Sequence, residues 1–89
     1  MDRVDLEGRL MTFGASVADR LTDDQRSWFA EFIAAGEYGI ALEMLADWLS
    51  EADAPVFPAE RTEAAALSKS MGNEERVVGP LNLCPDHPG

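Results

Sequence analysis

From Leu6 to Met71 apolar residues recur at separations of three and four, the repeat of a helical face rather than of a strand. The pattern is densest between Trp28 and Leu49, WFAEFIAAGEYGIALEMLADWL. Trp28, Phe29, Phe32 and Ile33 make one face, and Tyr38, Ala41, Leu42, Leu45, Trp48, Leu49 and Ala52 make another. Between them stands Gly36-Glu37-Tyr38-Gly39, where Gly36 can take the left-handed conformation that ends a helix. The stretch reads as a helical hairpin that carries both tryptophans and forms the centre of the core.

The flanking sequence extends the pattern. Leu6, Leu10, Phe13, Gly14, Val17 and Leu21 predict a first helix over roughly 2–20. Gly14 within that face lowers helix propensity by about 1 kcal/mol relative to Ala, and a close helix crossing would account for it. Thr22 with Gln25 three residues on makes a capping box, and Asp23 and Asp24 fall at the positive end of the helix dipole. The second helix is therefore expected over about 23–35, and the third from the glycine corner to Glu51 or Ala52. Asp53-Ala54-Pro55-Val56-Phe57-Pro58 interrupts the period, and Pro58 suits the first turn of a fourth helix. That helix has a narrow stripe, Ala64, Leu67 and Met71, and closes at Gly72-Asn73. Beyond it the period stops, and three of the five prolines fall between Asn73 and Gly89. Val77-Val78 and Leu81-Asn82-Leu83 read there as short extended pieces. The expected architecture is all-α: a small bundle of four helices over 1–72 as a single domain, with an irregular C-terminal tail over 73–89.

Composition narrows the function. Eighty-nine residues make one domain with little room for a deep catalytic cavity. Seventeen acidic residues against seven basic ones give a formal charge of −10. Such a field repels phosphate backbones and anionic membranes, so neither a nucleic acid nor a membrane is expected as partner. A basic protein surface is the natural complement. The single cysteine, Cys84, cannot form an intramolecular disulfide and fits a reducing compartment. The N-terminus lacks a basic region followed by an apolar run, and a cytoplasmic location is the expectation.

Catalytic chemistry has little to work with. The one histidine, His87, lies near Cys84 in Cys84-Pro85-Asp86-His87, but two ligands do not complete a zinc site. A proline-rich terminus is also a poor scaffold for a nucleophile pair. The expectation is a non-enzyme with no catalytic residue, metal or cofactor. The acids carry more information. Between Arg26 and Arg61 there is no Lys or Arg, while Glu31, Glu37, Glu43, Asp47, Glu51, Asp53 and Glu60 all lie in that interval. Glu43, Asp47 and Glu51 follow at i, i+4 along the third helix, a like-charge spacing that is mildly destabilising. Ile40 projects beside them and Met44 lies at the edge of the same face. An apolar centre with a charged rim is the anatomy of a protein interface, which makes Glu37, Ile40, Glu43, Met44, Asp47, Glu51 and Asp53 the candidate partner-binding residues. The competing reading is that the fourth helix or the tail covers Ile40 and Met44 and leaves only a solvated acidic face.

Gly36-Glu37-Tyr38-Gly39-Ile40-Ala41-Leu42-Glu43, continuing through Leu45, Asp47 and Leu49, resembles the central signature of the MafI-type immunity proteins. The likeness spans roughly 21–72 and includes Lys69-Ser70-Met71-Gly72 at the end of the fourth helix. It implies a cytoplasmic protein that binds and neutralises a cognate secreted polymorphic toxin domain, commonly a nuclease, by stoichiometric inhibition. Toxin-binding residues vary within such a family, so the candidate residues rest on charge and helical face alone. Nuclease clefts tend to be basic because they hold a polyanion, and an acidic helical face suits them. The alternative from another class is an acidic helical adaptor or regulatory subunit without a toxin partner.

Overall fold

Five α-helices follow one another in the computed structural model, which describes residues 1–88: α1 (Arg3–Val17), α2 (Asp23–Ala34), α3 (Tyr38–Glu51), α4 (Pro58–Met71) and α5 (Glu74–Leu81). A 3-10 turn, Ala18–Arg20, prolongs α1. Local chemistry sets the ends. The Asp5 amide donates to the Asp2 side chain at 2.9 Å and starts α1. The capping box of α2 is complete: the Gln25 amide donates to Thr22 Oγ1 at 3.1 Å, and the Thr22 amide donates to Gln25 Oε1 at 3.0 Å. α2 closes in a Schellman turn, with Glu37 N–H on the Phe32 carbonyl and Gly36 N–H on that of Ile33. Gly36 has φ +76° there, a conformation that only glycine takes without strain. α4 closes the same way on Gly72, φ +77°. The end of α3 repeats the motif with Asp53 at φ +51°, one of the few residues besides glycine that tolerate it.

Packing then follows the apolar stripes. Leu42, Leu45 and Leu49 of α3 are fully buried, as are Leu10, Val17 and Leu67 from α1 and α4. α3 packs most extensively on α5 and α2 and also touches α1 and α4. α1 and α2 meet at Gly14: a Cβ placed there would stand 2.5 Å from Cε2 of the buried Phe29 ring. The glycine exists for that close crossing.

The expected irregular tail over 73–89 is corrected. Residues Glu74–Leu81 form α5, which packs on α3 and α4. Val77 is fully buried and Leu81 nearly so, one turn apart on the same face. Val77-Val78 is therefore helical, not extended. Pro80 sits in the last turn and withholds one backbone donor, yet the buried pair holds the helix. The following segment docks as well. Val56 pairs in parallel with Asp86, the Val56 amide donating to the Pro85 carbonyl at 3.0 Å and the His87 amide to the Val56 carbonyl at 2.8 Å. Arg61 of α4 clamps it by donating to the carbonyls of Leu81 (2.6 Å) and Cys84 (2.7 Å) and pairing with Asp86.

A buried ion pair joins the 3-10 turn to α4. Arg20 meets Glu60 bidentately, both bonds 2.7 Å, with the side chains only 10% and 9% exposed. Arg20 also donates to the carbonyls of Ser16 and Pro55. Glu60 accepts the Phe57 amide at 2.8 Å and so caps the start of α4. Burial works to raise the Glu60 carboxyl, but Arg20, the Phe57 amide and Ser16 outweigh it and hold it below the ordinary range.

Candidate functional site

The α2–α3 hairpin presents its inner stripes to the core and its outer stripes to water. On α3, Ile40 projects outward and is 46% exposed, while Met44 is half-buried against the core. Glu51 is exposed. Glu37 stands just before the first turn of α3, and Asp53 forms the left-handed corner after its last, both exposed. The helix period thus brings Ile40, Glu43, Met44, Asp47 and Glu51 onto one side of α3 and sets Glu37 and Asp53 at its two ends.

That side is bordered by α5. Glu43 accepts Asn73 Nδ2 at 2.9 Å and lies 3.5 Å from Arg76 Nε, and Asp47 lies 3.6 Å from Arg76 Nη2. Arg76 is largely exposed, so it bridges two like charges from the rim. The part of the tail expected to be irregular therefore reaches the Glu43 edge and leaves Ile40 and Glu51 open.

One residue of this face was not anticipated. Trp28, expected in the core, is 49% exposed. Its ring centroid lies 6.0 Å from that of the buried Trp48, with the planes tilted by 37°. The core side of α2 is set by Phe29 and Ile33, and Trp28 stands on its flank toward α3. Asp24 at i−4 and Glu31 at i+3 are its neighbours on the helix surface.

Two other places bear on chemistry. Between α1 and α2 runs an open apolar groove of about 410 Å³, floored by Gly14 and Phe29 and edged by Met11 and Ala30. Glu7 and Arg26 are the ionisable residues in its lining, and Arg26 is tied to Asp23 and to the carbonyls of Ala18 and Leu21. Cys84 is buried under the end of α5. Burial pushes its thiol up, against a smaller downward pull from Arg61 and with a contribution upward from Asp53, so the sulfur stays protonated at neutral pH. The His87 ring stacks on Phe57 with centroids 3.8 Å apart. Among the described residues, no group of three or more His, Cys, Asp or Glu is placed to hold a metal ion. None of the described helices is long and apolar enough to cross a membrane. Set against known protein families, characterised proteins and solved structures, the chain has no match.

Proposed function

We propose that this chain is an immunity protein of the MafI type, acting in the cytoplasm, which binds a cognate toxin domain and neutralises it by direct stoichiometric contact. The observation that carries this reading is the outer face of the α2–α3 hairpin. It exposes Trp28 and Ile40 in a stretch, residues 27–60, that holds no lysine or arginine. Apolar anchors within a predominantly acidic field, with Arg76 paired to Glu43 and Asp47 at its edge, suit a basic protein surface: the charges speed encounter and the anchors slow release. A nuclease toxin offers such a surface at its substrate cleft. Occupying that cleft would exclude nucleic acid directly, whereas seating beside it would block by bulk.

Co-expression with the product of the adjacent gene tests the proposal. The expected results are protection from that product's toxicity and a one-to-one complex that tightens as salt is lowered. Competition by a short oligonucleotide distinguishes occlusion of the cleft from binding beside it. No complex and no protection would put an adaptor or regulatory subunit in front.

A further inference from the structure

We infer that Trp28 is the anchor of the α2–α3 face and that it receives a cationic side chain, the guanidinium or ammonium of a basic protein segment. The indole is large, half in water, and backed by the buried Trp48 ring at 6.0 Å, so it is held in place before any partner arrives. Its surroundings are of one sign. Asp24 and Glu31 flank it on α2, and Glu51 lies one turn from Trp48 on α3, all three exposed. Arg26, two residues away in sequence, is engaged with Asp23 and two carbonyls, and Arg76 of α5 stands at Glu43 and Asp47. Within the chain, arginine already stands over two other rings, Arg3 over Tyr38 at 5.6 Å and Arg20 over Phe57 at 5.7 Å. Trp28 makes no such pair among the described residues and offers the strongest π-face of the three. Charge complementarity selects the occupant. A second copy seated symmetrically would set Asp24, Glu31 and Glu51 against themselves, whereas a basic segment relieves their repulsion.

This inference rests on the binding function proposed above, and its test separates the two. Protection by the wild-type chain reads the function; a mapped titration reads the anchor. The probe is a short synthetic arginine-rich amphipathic peptide, with a counterpart carrying glutamate for arginine, added to the isotopically labelled full chain. The expected shifts center on the Trp28 indole N–H and the amides of Asp24, Glu31 and Glu51, and the acidic counterpart produces none. Shifts confined to the α1–α2 groove, spread evenly over the surface or absent would overturn the proposal. Trp28→Ala is expected to weaken peptide binding about tenfold. Because that change also removes the contact with Trp48, the paired reversal Glu31→Lys with Glu51→Lys is measured beside it. Both positions are exposed, the melting temperature should hold, and affinity should again fall about tenfold with a flatter salt dependence. Equal affinity in a folded double variant would also overturn it.

Discussion

Replacing Glu60 by glutamine tests whether the junction of the 3-10 turn and α4 is electrostatic. The substitution keeps the size and one carbonyl acceptor for the Phe57 amide, but it removes the charge that faces Arg20. Arg20 keeps the Ser16 and Pro55 carbonyls, each at 2.8 Å, and loses its buried carboxylate partner. Asp19 also touches it but lies mostly in water. Removing one member of a buried pair is worth about 3–5 kcal/mol, and the retained hydrogen bonds place Glu60→Gln near the lower end, about 3 kcal/mol. A chain of this length has a total stability of roughly 4–13 kcal/mol, so the melting temperature should fall by roughly 12–24 °C. Urea unfolding followed by tryptophan emission at pH 7 measures it. The pH dependence gives a second reading. The folded carboxyl of Glu60 lies below its unfolded value, so its contribution is complete above the ordinary glutamate range near ~4.3 and is lost as pH falls through the folded value. Glu63 adds to the same limb, because hydrogen bonding to Arg9 holds it low. Glu60→Gln should therefore flatten the acid limb of the stability curve without abolishing it. A loss below about 1 kcal/mol at unchanged urea slope, or an acid limb identical to wild type, would refute the reasoning. The joint replacement Arg20→Met with Glu60→Leu should recover much of the loss, since it leaves no buried charge unpaired.

Gly14→Ala gains up to about 1 kcal/mol of helix propensity but drives a Cβ into the buried Phe29 ring, an overpacking worth about 1–3 kcal/mol. A net loss of about 1–2 kcal/mol on thermal melting is expected, and an unchanged or higher melting temperature would show that the ring yields. Leu81→Ala should cost about 2–5 kcal/mol, as in any core, whereas a tail lying loosely on the surface would register within about 0.5 kcal/mol in chemical denaturation. Arg76→Ala removes an exposed bridge and should change stability by less than about 1 kcal/mol, yet it takes the cation away from Glu43 and Asp47. Stopped-flow association with a basic partner should then be faster at low salt, and an unchanged rate would separate those two acids from recognition.

Four helices were legible because each announces itself locally. Thr22 with Gln25, the left-handed glycines at 36 and 72, and Pro58 at a first turn are short-range signals, and the structure uses every one. Gly14 was readable as a crossing point, though not its partner, because nothing near it in sequence names Phe29. α5 was missed for the complementary reason. Gly79 and Pro80 are breakers by local rule, and an eight-residue helix has too few turns to show a period. Its stability comes from α3 and α4, which are remote in sequence. Trp28 failed in the same way: residue type argued for the core, while the path of α3 left its flank in water. On the candidate face, Ile40 and the α3 acids could be placed from the period alone. Arg76 on Glu43 and Asp47 could not, since it depends on a helix that the sequence hides.

The outer stripe of the hairpin has no duty to the fold. Asp24, Glu31, Ile40 and Glu51 stand in water, while Ala41, Leu42, Leu45 and Leu49 alongside them on α3 are sealed. Exchange at the first set moves folding stability by tenths of a kcal/mol, and at the second by several kcal/mol. Neighbouring positions on one helix thus live under different rules, one group free to drift and the other held. A partner that changes its surface can be followed by point changes in this stripe alone, with the bundle beneath left as it is.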